Sequence, residues 1–314
     1  MINQEKLIRF LRSKPALNLS QIEKEAGIPS KTLHKALSDQ KDIPVKHLPV
    51  LDEAVRRYGY SDALFDKAKV ISVVNHKGGV GKTTTTINVG KALSLLGNRV
   101  LLVDMDSQGN LSQCFGVHDP DEQVIDALLE GSDLPMVEIS SNLFLSPSDI
   151  RMAYRESELA NSIGADRRLA LKLEDERDKF DYILIDCPPS LGICTTCSLV
   201  ASNFCVVPIQ PEASAYHGVE SLFNRIAEVR KYINPTLSVK GIVFTMVHKN
   251  QSIHKSMMSH IRDTYRNFPI YQSIIEVSTV IKQSQVAKED LYTYSNKSVS
   301  WQQYHHLATE IMTI

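Results

Sequence analysis

Short apolar, β-branched runs alternate with longer stretches of helical period from residue 69 to residue 314. Runs at 69–75, 99–104, 143–146, 182–186, 204–208 and 238–247 predict strands, because they are too short for helices and rich in Val and Ile. Stretches at 82–96, 150–163, 166–179, 194–201, 217–232, 252–266 and 300–312 carry the helical period. Strand and helix taking turns predict an α/β fold: a doubly wound, mostly parallel sheet with helices on both faces. The acidic stretch 119–133 reads as a solvated helix, and Asn203 as a loop residue.

The first 68 residues show no strand pattern and predict a separate all-helical domain, 1–68, ahead of the α/β domain, 69–314. Amphipathic helices are expected at 4–13, 19–26, 30–38 and 47–58. Between the second and third stands Ala26-Gly27-Ile28-Pro29-Ser30, the glycine turn of a helix-turn-helix, with Ser30 placed to cap the third helix. That helix turns Leu33, Ala36 and Leu37 inward and Ser30, Lys31, His34 and Lys35 outward, the face a recognition helix offers to the major groove. Ser30, Lys31 and Lys35 are the candidate base-reading contacts. The segment resembles Cro/repressor-like phage and plasmid DNA-binding domains, with one departure: Glu23 stands where such motifs usually have a small residue. Residues 1–65 hold 11 lysines and arginines against 8 aspartates and glutamates, a mildly basic balance.

The chemistry of the second domain is concentrated in Lys77-Gly78-Gly79-Val80-Gly81-Lys82-Thr83-Thr84. This glycine-rich loop lies between a predicted strand and a predicted helix, the context that makes a phosphate-binding loop credible. Glycines let consecutive backbone N–H groups converge on a polyphosphate, and the helix points its positive end at it. Lys82 is expected at the β- and γ-phosphates and the Thr83 hydroxyl at Mg²⁺. Lys77 is a second lysine at the start of the loop and suggests a charge offered to a second nucleotide across a dimer. Two predicted strands end in carboxylates, Asp104-Met105-Asp106 and Asp186, where parallel sheets place their ligands. Thr83, Asp106 and Asp186 are the candidate groups around Mg²⁺, Asp186 through a water. Asp106 is better placed than Asp104 to polarise the attacking water.

With these motifs in view the chain resembles the ParA/Soj/MinD superfamily of deviant Walker ATPases. The resemblance rests on residues 75–85, on Asp104-Met105-Asp106-Ser107-Gln108-Gly109-Asn110, on Ile185-Asp186-Cys187-Pro188-Pro189-Ser190, and on Val207-Pro208-Ile209-Gln210-Pro211-Glu212 followed by Gly218-Val219. It implies ATP and Mg²⁺ as cofactors, Lys77 acting in trans in an ATP sandwich dimer, Asp106 needed for hydrolysis, and Pro208, Gln210 and Glu212 beside the adenine. It also implies a partition cycle: homodimerisation on ATP, nonspecific DNA binding, then hydrolysis stimulated by a ParB-like centromere-binding protein, in a cytoplasmic, nucleoid-associated setting. The expected nonspecific contacts are Arg225, Arg230 and Lys231 on one helix, with Lys249, Lys255, Arg262 and Arg266 beyond it. Ser107 departs from the usual proline, and Cys187 from a threonine or alanine. The familiar Ile-Pro-Arg-Asn segment is replaced by Ile274-Ile275-Glu276-Val277-Ser278, so no nucleotide or DNA contact is carried over to that region.

A formal net charge of −1 over 314 residues excludes a global field toward nucleic acid, so any DNA contact must come from local patches. The five cysteines read as reduced thiols. Cys194 and Cys197 have half a zinc site's spacing with no second pair, and read as small buried residues. No apolar run reaches the roughly 20 residues of a membrane span, and residues 1–4 begin no signal peptide. The last helix lacks the basic amphipathic face of a membrane-surface anchor, which weighs against the alternative of a MinD-like membrane-cycling regulator. The absence of Asn-Lys-x-Asp weighs against guanine, and the cysteine placement against a cluster-bearing redox relative.

Overall fold

The computed structural model describes residues 2, 4–38, 41–61, 67–212 and 215–313. Residues 62–66, near the end of the predicted first domain, lie outside the described residues. The chain forms two compact units, one of residues 1–68 with 177–181, the other of residues 69–176 with 182–314.

The first unit holds α1 (Gln4–Ser13), α2 (Leu19–Glu25), α3 (Thr32–Ser38) and α4 (Leu48–Arg57). Their apolar stripes meet in a core that includes Leu7, Phe10, Ile22, Leu33, Leu51 and Val55. Asn18 caps α2 by accepting from the Gln21 N–H. The cap of α3 corrects the sequence expectation. Both oxygens of the buried Glu23 carboxylate are used, one accepting from the Lys31 N–H at 2.9 Å and the other from the Leu33 N–H at 2.7 Å. Glu23 therefore takes the Leu33 N–H that a Ser30 cap could have satisfied, together with that of Lys31, and α3 starts at Thr32. Glu23 is large for its place in the motif because it spans from α2 to the start of α3. Lys31 has φ 66°, a left-handed conformation at the entry to the helix.

The second unit is an α/β sandwich. In chain order it contains β1 (Lys69–Val73), α5 (Lys82–Leu95), β2 (Val100–Asp104), α6 (Asn110–Cys114), α7 (Val124–Glu130), β3 (Val137–Ser140), β4 (Leu143–Ser146), α8 (Arg151–Ala160), α9 (Arg168–Glu174), β5 (Tyr182–Asp186), α10 (Ile193–Ala201), β6 (Phe204–Ile209), α11 (Ala215–Tyr232), β7 (Ser238–Val247), α12 (Ser252–Thr264), β8 (Ile270–Glu276), α13 (Thr279–Ala287), α14 (Leu291–Ser295) and α15 (Val299–Thr313). The sheet order is β3-β4-β2-β5-β1-β6-β7-β8, parallel throughout except for the β3–β4 pair. β2 and β5 are buried at every position, as strands covered on both faces must be. The register sets Asp186 beside Val73 on one flank and beside Asp104 on the other, so Asp186 adjoins the strand after which the loop begins and Asp104 lies one strand further out.

Five elements went unseen in the sequence and one was misjudged. β3, α6, α13 and α14 are only four to nine residues long, too short for a periodic signal. β8 was hidden by polar residues, since only Tyr271 and Ile275 of its residues are fully buried. The stretch 119–133 does contain a helix, but α7 buries Val124, Ile125, Ala127 and Leu128 rather than lying in solvent. α5 is buried along most of its length, and at Gly90 an added Cβ would stand 2.5 Å from Leu102 Cδ2, so glycine lets this helix close on the sheet.

Candidate nucleotide site

The loop 77–84 joins β1 to α5 at the carboxyl edge of the sheet. Gly79 (φ 74°) and Gly81 (φ 87°) adopt left-handed conformations that a side chain would resist, and Gly81 is the N-cap of α5. The loop is fastened from both sides. Thr245 Oγ1 donates to the Val80 carbonyl at 2.8 Å, and the Asn75 side chain donates to the Pro208 carbonyl at 2.7 Å while accepting from the Lys77 N–H. Lys82, 6% exposed, folds back so that its Nζ donates to the Lys77 carbonyl at 3.1 Å. Burial pushes its pKa down, opposed by the carboxylate of Asp186 and, more weakly, that of Asp106. An ammonium strained by desolvation in this way gains by meeting an anion.

A crevice of about 630 Å³ opens over the loop, lined by Gly78, Gly79, Gly81, Lys82, Thr83 and Thr84 together with Asp106. The two aspartates at the end of β2 have different surroundings. Asp104 is fully buried and accepts from the Ser112 N–H at 3.0 Å, the Ser112 hydroxyl at 2.7 Å and the Asp106 N–H at 3.2 Å, which ties β2 to α6. Asp106 lines the crevice and also accepts from the Gln108 N–H. Asp186 accepts from the Thr86 hydroxyl at 3.3 Å through Oδ1, while its buried Oδ2 has no hydrogen-bond partner. Burial, with the nearby charge of Asp104, holds the Asp186 carboxyl well above the usual carboxylate range. An orphaned carboxylate oxygen behind Thr83 suits a divalent cation. Among the described residues no group of three His, Cys, Asp or Glu is placed to chelate one, so the nucleotide's own phosphates and waters would complete its sphere.

Of the remaining expected residues, Pro208 is in β6, Gln210 lines a second cavity of about 300 Å³, and Glu212 pairs with Lys77 at 2.8 Å. That second cavity adjoins the first at Gly81 and Thr84, and its walls include Ile275, Glu276, Val277 and Ser278. The segment from which no nucleotide contact was expected therefore stands beside the loop, because β8 extends the sheet to that point. Met246, with φ 52°, borders both cavities, a strained backbone of the kind that clusters at working sites. Gln285 was also invisible in the sequence: its amide donates to the Thr84 hydroxyl at 2.8 Å across 201 residues of chain.

The five cysteines are unbridged, and burial pushes the thiols of Cys187 and Cys197 up to about 12. Ser30, Lys31 and Lys35 are exposed at and on α3. On the second unit, Lys249 pairs with Glu276 at 2.8 Å, Arg225 with Glu228 at 3.4 Å, and Arg262 lies over the Phe244 ring, while Lys255, Arg230, Lys231 and Arg266 are exposed. Among the described residues no helix is long and apolar enough to cross a membrane.

Comparison with known proteins agrees with this geometry. An AAA domain family matches residues 68–239. The sporulation initiation inhibitor protein Soj of Bacillus subtilis is 34% identical over 77% of this chain and 98% of its own. The chromosome partitioning protein ParA of Caulobacter vibrioides is 32% identical over 78% of this chain and 94% of its own. A crystal structure of cobyrinic acid a,c-diamide synthase from Mycobacterium smegmatis with bound ADP and magnesium superposes with a TM-score of 0.68 at 32% identity, covering 77% of this chain and 93% of that one. A two-lysine glycine loop, two carboxylate-ended strands on either side of one register, and this extent of identity together place the chain in the ParA/Soj/MinD family of P-loop ATPases.

Proposed function

We propose that the protein is a ParA-type DNA-partitioning ATPase that carries its own sequence-reading helical domain, 1–68, ahead of the ATPase domain, 69–314. ATP and Mg²⁺ are its cofactors. The loop N–H groups and Lys82 bind the phosphates, Thr83 and Asp186 hold the cation side of the site, and Asp106 orients the attacking water. Bound Mg²⁺ supplies charge neutralisation on the phosphates, so positioning and electrostatics carry the catalysis. Lys77 serves a second copy of the chain, and closure of that dimer creates a surface for nonspecific DNA binding to which Arg225, Lys249, Lys255 and Arg262 contribute. A ParB-like centromere-binding protein stimulates hydrolysis, and binding to an operator by α3 allows autorepression.

The observation that supports this reading is the exposed, basic face of α3, held by Glu23 on a helical unit, in the same chain as an ATPase unit that resembles partition proteins. Gel shifts on the full-length protein test it, with and without ATP, on random duplex and on DNA from upstream of its own coding sequence. The double variant Lys31→Ala/Lys35→Ala is expected to lose preference for the upstream DNA, since a base-edge contact is worth about 1–3 kcal/mol of discrimination. The same variant should keep ATP-dependent binding to random duplex, which should fall steeply with salt through counterion release. Absence of any ATP-dependent binding to random duplex would replace the partition reading by a nucleotide-switched repressor.

A further inference from the structure

We propose that Lys288 is a phosphate-binding residue of the nucleotide site, acting in cis, and that the connection from α13 to α14 is the wall that carries it. Lys288 lines the same crevice as the glycine loop, and in that lining the cationic side chains are Lys82 and Lys288. Lys77, the other lysine of the loop, is drawn to Glu212. The Lys288 ammonium has no carboxylate partner among the described residues. Its side-chain contact is the neutral Gln113 amide oxygen at 3.4 Å, on α6 across the crevice.

The backbone supports the same assignment. Lys288 is the C-cap of α13 with φ 55° and ψ 50°, a left-handed conformation for which glycine or asparagine is the usual choice. The segment is also fixed along the loop's own helix at three points. Gln285 donates to the Thr84 hydroxyl at 2.8 Å, the Leu291 N–H donates to Asn88 Oδ1 at 2.9 Å, and Asp290 faces Lys91 at 3.9 Å. These anchors hold Lys288 in register with the first turns of α5, whose N-terminus receives the phosphates. A polyphosphate entering the crevice offers Lys288 charged acceptors in place of a long contact to a neutral amide, a change that strengthens a hydrogen bond markedly.

The test uses the full-length protein and equilibrium binding. MgADP, a non-hydrolysable MgATP analogue and adenosine are titrated against wild type, Lys288→Asn and Lys288→Arg. Asparagine keeps the left-handed backbone and removes the charge; arginine keeps the charge. Lys288→Asn is expected to bind MgADP and the analogue about tenfold more weakly at low ionic strength, as loss of one charged hydrogen bond implies. The difference should shrink at high salt, because the side chain is exposed. Lys288→Arg should stay close to wild type, and adenosine should bind all three proteins alike. Equal affinity of wild type and Lys288→Asn for both phosphorylated ligands would overturn the proposal. So would a parallel loss of adenosine binding, which would mark Lys288 as a support of the wall rather than a phosphate ligand.

Discussion

The ammonium of Lys77 lies 2.8 Å from Oε2 of Glu212. The loop's first lysine is thus neutralised within its own chain by a residue three beyond the end of β6, and the same contact holds the Glu212 carboxyl below its usual range. Gln210 donates to the other Glu212 oxygen at 2.6 Å, so the carboxylate is oriented toward the lysine. A lysine offered to a second subunit must first leave this partner.

Glu212→Gln is therefore expected to favour nucleotide-dependent dimers. The pair is partly exposed and worth little by itself, so the shift should be about two- to fivefold in association. Analytical ultracentrifugation with a non-hydrolysable ATP analogue measures it. Lys77→Ala should bind nucleotide normally but dimerise and hydrolyse poorly.

Lys82→Ala should lose nucleotide binding, because it removes the buried in-loop cation of the crevice. Asp106→Ala should behave differently. It leaves Lys82 and Thr83 in place but removes the carboxylate facing the crevice, so binding persists while turnover falls by about 100-fold or more, the scale typical for a preorganised polar group. Binding titrations together with phosphate release separate the two variants; normal turnover in Asp106→Ala would reassign the role.

The site should release protons when it takes up the cation. Burial raises the Asp186 carboxyl well above its ordinary value, and burial outweighs the Ser112 hydrogen bonds to hold Asp104 at about 7. Folded-state values above unfolded ones mean that the folded chain binds more protons between about pH 4 and 7, so the ion-free protein loses stability as pH rises through that window. Bound Mg²⁺ favours the ionised Asp186, so Mg²⁺-nucleotide binding near pH 7 should release protons and weaken as pH falls. Calorimetry in buffers of different ionisation enthalpy reads the release. Asp186→Asn should abolish its cation-dependent part.

Glu23→Ala should loosen the first unit by about 2–3 kcal/mol, since it strips the acceptor from two backbone donors at the start of α3. Hydrogen exchange at the Lys31 and Leu33 amides should accelerate selectively. Unchanged exchange there would show that Ser30 or water replaces the carboxylate without loss.

Local features fixed in neighbouring residues were legible from the sequence. The glycine loop, the strands ending at Asp104 and Asp186, and the four amphipathic helices of the first unit each depend on spacing within one short segment, and spacing is what a sequence displays. The parallel α/β class followed from strand and helix taking turns. Relations between distant segments were decided only in three dimensions. Which of Asp104 and Asp106 faces the crevice depended on Ser112 of α6 claiming Asp104. The cap of α3 came from Glu23 on the preceding helix, not from the serine beside it. β8, interrupted by polar residues, became a strand by pairing with β7, and that pairing carried 275–278 to the nucleotide site. Gln285 reached the loop, and Lys288 the crevice over it, because α13 and α14 are fastened along α5. A phosphate-binding loop is determined by backbone conformations that its own glycines permit, whereas the walls of its crevice are set by whichever surfaces the packed sheet brings against it.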